Sequence, residues 1–396
     1  MIKSLTRQFN EVFRSGVVPE EWQKHRMLLV HKGHGAHQSA LDSYRAIGIG
    51  CCDLKMLSLI MEERLNTFLE VTKSLSHNQM GFKRRSGTRE ATLALSEIIK
   101  QASRERPVLT AFIDVKAAYD SVIREVLYAK MLKMGIGGRF LTTIQGLFHS
   151  MEAELEVGGA MLGLVKMELG LAQGSPLSLV LFNIYINSCI TELERLAQAK
   201  AAEAGGIPFG LRVPAAAGDA LDRLISLWFA DDSTVVETDI NRLQWLVDTL
   251  GELLELIGLI MNILKTKLLI IMAQKAKYGP PQGQICLKVY GKVVETVTEF
   301  PHLGTVLNSR GNWKDAWGAA KRRAALAYHD ALAGGVFFHS GSLALMATVA
   351  RATMFSYMDA LMGITGAGGA VASAATLAYA AVCLNIDTRW SRRAQK

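Results

Sequence analysis

Cysteine is scarce and poorly placed for crosslinking. The 396 residues hold five (Cys51, Cys52, Cys189, Cys286 and Cys383), with no C-x-x-C pair and no Cys/His set at metal-ligand spacing. That argues against a disulfide scaffold and against a zinc ribbon or knuckle, and fits a reducing, intracellular compartment, nuclear or cytoplasmic. Charge is also sparse, at 20% against 50% hydrophobic residues. Such a composition excludes global disorder and leaves ample material for the cores of two or three domains. No signal peptide is visible, since the N-terminal Met1–Arg7 is amphipathic. No internal repeat is apparent. The 27 positions between Asp359 and Asp387 carry no charge, which is long enough to cross a membrane. Nine Ala and four Gly with few Leu or Ile there favour a helical tail, so no membrane partner is expected.

The charge that exists is uneven. Lys plus Arg number 44 and Asp plus Glu 36, a net of +8. Residues 1–105 hold 16 basic and 11 acidic groups, net +5; residues 106–300 hold 18 and 21, net −3; residues 301–396 hold 10 and 4, net +6. Ordinary fluctuation would produce such a spread. So would an acidic centre suited to metal ions between two basic flanks suited to phosphates.

Hydrophobic periodicity gives the elements. Leu5, Phe9, Val12 and Phe13 recur at helical spacing before Gly16, and Pro19-Glu20-Glu21-Trp22 opens a short turn. Met27–Val30 reads as a strand, Asp53–Leu69 and Thr88–Ser103 as helices. Val108–Val115 is a buried strand containing Asp114, followed by a helix from about Ala117 to Met134. Glu152–Val157 and Val165–Leu169 alternate as a hairpin. A helix starts at Ser175-Pro176 and runs to about Ala202. Residues 205–219 read as a loop. Leu224–Phe229 and Thr234–Val236 flank a tight hairpin turn. Leu243–Ile257 is helical, Leu268–Met272 a strand, and residues 274–284 a linker. Short strands are expected at 286–290 and 293–297, then helix from Trp313.

Three carboxylates stand out. Asp114 ends one buried strand, and Asp231 and Asp232 occupy the tip of the apolar hairpin. A single Asp in a turn is ordinary turn chemistry. Two adjacent carboxylates flanked by Leu227-Trp228-Phe229-Ala230 suffer both mutual repulsion and desolvation. A divalent cation relieves both. Hard oxygen ligands suit Mg²⁺ or Mn²⁺, and two such ions fit a phosphoryl-transfer site.

The same residues belong to a series of motifs in a fixed order. Phe112-Ile113-Asp114-Val115-Lys116-Ala117-Ala118-Tyr119-Asp120 has D-x-x-x-A-[FY]-D spacing. Gly170-Leu171-Ala172-Gln173-Gly174-Ser175-Pro176-Leu177-Ser178 precedes Leu181-Phe182-Asn183. Phe229-Ala230-Asp231-Asp232 is an FADD hairpin. Gly258-Leu259-Ile260-Met261-Asn262 leads to Lys265-Thr266, and Phe300-Pro301-His302-Leu303-Gly304 to an LG turn. Pro19–Trp22, Lys32-Gly33, Tyr44-Arg45 and Gln79-Met80-Gly81-Phe82 complete the series. Over roughly residues 10–360 the chain resembles the reverse transcriptase of LINE-like non-LTR retrotransposons.

That resemblance implies an α+β right hand: fingers in residues 1–105, a palm in 106–300 with an antiparallel sheet backed by helices (and finger helices after the first palm motif), and a helical thumb or C-terminal tail in 301–396. It implies RNA-directed DNA polymerisation with two Mg²⁺ or Mn²⁺ ions, dNTPs, an RNA template and a DNA primer, within a longer retrotransposon polyprotein. Asp114 and Asp231 would ligate metal, with Asp232 in support and the backbone of Val115 beside the triphosphate. Tyr119 would gate the sugar. Gln173 and Gly174 would lie against the nascent base pair, and Lys265 near the leaving pyrophosphate. Lys32 and Arg45 would grip the triphosphate, Lys83, Arg84 and Arg85 the template phosphates, and Leu303 and Gly304 the primer.

The sequence departs from the pattern at Ala46, where a proline is usual, at Leu179 after Leu177-Ser178, and at His302, where the family has Tyr. None is a carboxylate of the cluster. A nucleic-acid-binding remnant without catalysis, an RNA-dependent RNA polymerase and an α/β enzyme on small phosphorylated substrates are the competing readings. Tyr119 opposes the second, and the ordered motifs oppose the third.

Overall fold

In the computed structural model, which describes residues 2–31, 39, 43–83, 86–104, 106–157, 160–203, 205–213, 223–272 and 285–310, helix α1 (Ile2–Ser15) ends at Gly16, whose φ is +74. One turn, α2 (Glu20–Gln23), follows Pro19 and leads into β1 (Lys24–His31) and β2 (Tyr44–Ile49). In α3 (Cys52–Thr72) the Leu54 N–H donates to the Cys51 thiol at 3.4 Å, and Lys73 stops the helix in the left-handed conformation. Then come α4 (Thr88–Ala102), β3 (Val108–Ile113), α5 (Arg124–Lys133), α6 (Gly138–His149) and the hairpin β4 (Glu152–Val157) and β5 (Ala160–Lys166). The long helix α7 (Pro176–Glu203) precedes β6 (Leu211–Arg212), β7 (Arg223–Leu224), β8 (Ser226–Phe229) and β9 (Asp232–Glu237). Helix α8 (Ile240–Glu255) starts where Asp239 accepts from the Arg242 N–H at 3.0 Å, an N-cap. The chain continues through β10 (Lys267–Ile271), β11 (Lys288–Val289), β12 (Lys292–Val293), β13 (Glu295–Val297), β14 (Glu299–His302) and β15 (Thr305–Asn308). The helices expected from Trp313 onward, and the uncharged stretch after Asp359, lie outside the described residues.

Two sheets organise these elements. One has strand order β13-β10-β3-β9-β8 and is antiparallel except for the β10–β13 pair. The other has order β2-β1-β4-β5, with β1 and β4 parallel, so strands from either side of residue 105 share it. In the first, β3 is buried along its whole length. Successive side chains of a strand point to opposite faces. Leu109, Ala111 and Ile113 therefore join the core around α7 and α8, while Val108 and Phe112 join Leu95 and Ile99 of α4 on the other face. Burial on both faces explains why Val108–Ile113 is almost continuously apolar. The first half of helix α7 is largely apolar on every side because it runs through the core: residues 180–187 are all buried. It is the one described helix long and apolar enough to cross a membrane, and 72% of its apolar window is buried in protein.

Four expectations need correction. The helix expected from Ala117 begins at Arg124. The Lys116 N–H donates to the Ile260 carbonyl at 2.9 Å and Ala117 sits at φ +45, so the chain turns before it can coil. The second strand of the 152–157 hairpin is 160–166, not 165–169. Pairing Val157 with Ala160 leaves two residues for the turn and fixes the start of the strand. The Leu224–Phe229 run is divided, β7 pairing with β6 and β8 with β9, and β6 lies inside the segment read as a loop. The apolar residues at 293–297 are likewise split between β12 and β13.

Two glycines inside helices test this packing. Alanine normally stabilises a helix interior by ~1 kcal/mol relative to glycine. At Gly146 in α6 a Cβ would lie 2.0 Å from the Gly16 carbonyl oxygen, whereas at Gly251 in α8 its one tight contact would be the flexible end of Met261, at 2.8 Å, with the Tyr290 ring at an ordinary 3.5 Å. Gly146→Ala should destabilise by about 1–3 kcal/mol, and Gly251→Ala should stay within about 1 kcal/mol of the parent. Urea unfolding of both variants decides this.

Candidate active site

Strand register assembles the carboxylates. Ile113 pairs with Ser233 across β3 and β9, so the next position outward sets Asp114 against Asp232. Phe229 pairs with Asp232 in the β8–β9 hairpin, leaving Ala230 and Asp231 as its two-residue tip, with Ala230 at φ +58. Burial, reinforced by Asp114, pushes the Asp231 carboxyl above the usual range. Burial, then Asp231 and Asp114, pushes Asp232 up to about 6, although much of Asp232 is exposed and solvent screens part of the effect. Lys265 and Arg45 act in the opposite sense on both.

Lys265 is delivered by the segment after α8. Gly258, at φ +77, takes the chain out of the helix. Val115 then bridges Met261: the Asn262 N–H donates to the Asp114 carbonyl at 2.7 Å and the Lys116 N–H to Ile260. This pairing leaves Val115's own N–H and carbonyl outside the ladder. Asn262 also accepts from the Thr266 N–H at 2.9 Å, closing a turn that brings Lys265 Nζ to 3.3 Å from Asp114. The oxygen donors suit a hard divalent cation. Among the described residues, however, no three His, Cys, Asp or Glu side chains form a ready-made metal cage. Asp114 is instead paired with Lys265.

A second loop closes against the first motif. The Tyr119 ring stacks on Phe182 at 4.7 Å, and its buried hydroxyl has no partner among the described residues. Burial, then Asp231 and Asp232, raises its pKa. Gln173 donates to both oxygens of Asp120 at 3.1 Å, and the Leu171 N–H donates to the Tyr119 carbonyl at 2.9 Å. Buried Arg124 ties the loop down, donating to the carbonyls of Phe148 (2.7 Å), Gly170 (2.9 Å) and Leu169 (3.1 Å). Gly174, at φ +112, lies against β2: a Cβ there would be 2.7 Å from the Gly48 oxygen. The Gly48 N–H donates to the Gln173 carbonyl at 2.8 Å. The β2 strand that carries exposed Arg45 is thereby joined to the loop.

A cleft of about 340 Å³ brings Asp114, Asp232, Lys265 and Leu303 together. Leu303 and Gly304 form the two-residue turn between β14 and β15, both at positive φ, as a type I′ turn requires. His302 is buried beside Phe112, with rings 5.2 Å apart, and burial lowers its pKa to about 4. Lys83 lies elsewhere: it donates to the Ser76 carbonyl at 3.2 Å and lines a separate cleft with Leu69 and Lys73. Lys32, Arg84 and Arg85 lie outside the described residues. No local pattern in the sequence signals the roles of Arg124 and Asp120, and Gln79 stands there only as part of a motif. Its side chain accepts from the Ala230 N–H at 3.1 Å.

Residues 30–307 match the family described as reverse transcriptase (RNA-dependent DNA polymerase). The RNA-directed DNA polymerase from mobile element jockey of Drosophila melanogaster is 24% identical over 184 residues, covering 46% of this chain and 20% of that protein. The retrovirus-related Pol polyprotein from type-1 retrotransposable element R2 of Popillia japonica is 24% identical over 253 residues, 63% of this chain and 32% of its own length. The chain thus spans a third or less of either relative. Among solved structures, apo telomerase from Candida tropicalis superposes with a TM-score of 0.51 at 12% identity, covering 91% of this chain and 62% of that one. That likeness is one of fold, and it agrees with the α+β right hand.

The electrostatics predict a pH dependence. Asp231 and Asp232 have raised pKa values in the folded protein, so folding takes up protons between the ordinary carboxylate range and about pH 6. In metal-free buffer their contribution to stability falls as pH rises through that window. Asp232→Asn should flatten this slope and melt above the parent at pH ~7.5 in chelator. Thermal melts of both proteins from pH ~4 to ~8 measure it; a parallel slope in the variant would exclude the mechanism.

Proposed function

Since the chain belongs to the reverse transcriptase (RNA-dependent DNA polymerase) family, we propose that it copies an RNA template into DNA by nucleotidyl transfer from a dNTP to a primer 3′-hydroxyl. The observation that carries the reading is the β3–β9 register, which sets Asp114 against the Asp231–Asp232 hairpin. The primer 3′-hydroxyl gives its proton to water, its oxygen forms a bond to the α-phosphorus, the bond from that phosphorus to the β-phosphate oxygen breaks, and pyrophosphate leaves.

Asp114 and Asp231, with the backbone carbonyl of Val115, would hold divalent ions, with Asp232 in support; Mg²⁺ or Mn²⁺, two ions, fits this oxygen donor set. Bound there, such ions would stabilise charge on the attacking and leaving oxygens. Lys265 neutralises charge on the triphosphate or gives a proton to pyrophosphate. Tyr119, backed by Phe182, presents a rigid ring that excludes a 2′-hydroxyl. Gln173 and Gly174 lie beneath the nascent pair. Arg45, with Lys32, grips the triphosphate by charge-assisted hydrogen bonds. Leu303 and Gly304 touch the primer, and Lys83, Arg84 and Arg85 the template backbone. Fingers in 1–105, palm in 106–300 and thumb in 301–396 remain the assignment, with β4 and β5 joining the finger sheet. The chain acts as part of a longer retrotransposon polyprotein. Free thiols at Cys51, Cys52, Cys189 and Cys286 suit an intracellular setting.

Primer extension on an RNA template tests this. Asp231→Ala should lower extension at least about 10³-fold, the effect of losing ~4 kcal/mol of barrier stabilisation. Tyr119→Val should raise rNTP incorporation relative to dNTP by about 10-fold or more. Salt-sensitive RNA binding without any incorporation by the parent chain would instead mark a catalytically impaired remnant.

A further inference from the structure

The strand that leads into the hairpin, β8, lies at the edge of its sheet, and that edge is covered by the segment Asn78–Met80. The Trp228 N–H donates to the Asn78 carbonyl and the Met80 N–H to the Trp228 carbonyl, both at 2.8 Å. Between them the fully buried Gln79 turns its side chain onto the hairpin tip. Its Oε1 accepts from the N–H of Ala230 (3.1 Å) and of Gly81 (2.9 Å), and its Nε2 faces the Ala230 carbonyl at 3.4 Å. Ala230 immediately precedes Asp231 and holds φ +58. A left-handed alanine is unfavourable and persists only where its surroundings impose it. Close approach adds to the constraint: a Cβ on Gly81 would stand 2.4 Å from the Ala230 nitrogen.

The covering segment is itself fixed from α7. Asn183 donates to the Gly81 carbonyl at 2.7 Å. Asn187 accepts from the Ser76 N–H at 2.7 Å and donates to the Ser74 carbonyl at 3.1 Å. Glu194 accepts from the Asn78 side chain at 2.5 Å. Asn183 and Asn187 lie on the buried first half of this helix, where polar side chains are retained only with partners, and Glu194 on its half-exposed second half.

We propose that Gln79 is a positioning residue for polymerisation. Its amide holds the strained Ala230 peptide, and through it the direction of the Asp231 and Asp232 carboxylates, against an anchor on the core helix. The kinetic part of this inference rests on the polymerase reading of the site; the structural part rests on the hairpin alone.

Two substitutions and two readouts test it. Gln79→Met keeps length and volume but none of the three hydrogen bonds. In Gln79→Glu, the protonated carboxyl offers the same acceptor and donor as the amide, while the ionised one turns an acceptor toward the Ala230 carbonyl. Primer-extension kinetics and Mn²⁺ binding to the nucleic-acid-free chain, followed by electron paramagnetic resonance, are compared with the parent and with Asp231→Ala. Gln79→Met should lower kcat about tenfold or more, change KM for dNTP less than about twofold, and weaken Mn²⁺ binding. Activity of Gln79→Glu relative to the parent should fall as pH rises. Parent-like kcat and Mn²⁺ affinity in Gln79→Met would overturn the proposal, as would a loss matched by equal losses in RNA affinity and melting temperature. If the parent extends no primer, the polymerase reading fails and the Mn²⁺ comparison decides alone. A parent that binds no Mn²⁺ overturns the positioning role as well.

Discussion

Three carboxylates within the width of one hairpin repel one another, and the surrounding fold keeps them together despite that repulsion. Asp114 cannot retreat, because β3 is buried on both faces and locked between β9 and β10. Asp231 and Asp232 cannot splay, because the hairpin is paired on one side to β3 and covered on the other by the Gln79 segment. The cluster is thus local strain within a rigid frame. Burial first, and then the neighbouring carboxylates, raise the pKa values of Asp231 and Asp232, so the fold disfavours their ionised forms. Lys265 supplies some countercharge from within the chain.

The two sheets meet at the Gln173–Gly174 loop. On one side it is stapled to Tyr119, Asp120 and Arg124, and on the other its backbone bonds Gly48 of β2. The ring proposed to gate the sugar and the strand proposed to grip the triphosphate therefore share one short connection. Arg124 serves this connection with three bonds to main-chain oxygens from a nearly buried position, where a cation is retained only when its donors are satisfied.

What the residues announced in advance was the chemistry carried by local patterns. The Asp114 strand and the FADD hairpin are legible because short continuous apolar runs broken by turn residues are encoded within a few positions, although the turn is Ala230-Asp231 alone and Asp232 and Ser233, read as part of it, already belong to β9. The start of α5 is not legible. Ala117 through Tyr119 is compatible with helix, and only the approach of Ile260–Asn262, far along the chain, turns it aside. Gln79 was visible as a letter in a motif, but its partner is Ala230, and no periodicity reports a contact 151 residues away. Arg124 likewise reads as a surface helix residue until its three carbonyl partners are assembled around it.

The parallel pairing of β1 with β4 has a consequence for the order of assembly. Lys24 sits opposite Glu152, so the four-stranded sheet joins chain segments made far apart in time on a ribosome. Loop-closure entropy opposes such pairings and slows them. Until β4 emerges, the β1–β2 hairpin presents an open strand edge, which other chains can pair with. The hairpin β4–β5 is therefore the natural closing piece of this sheet, and it follows α6, which packs on α1, and precedes α7, on which α5 packs.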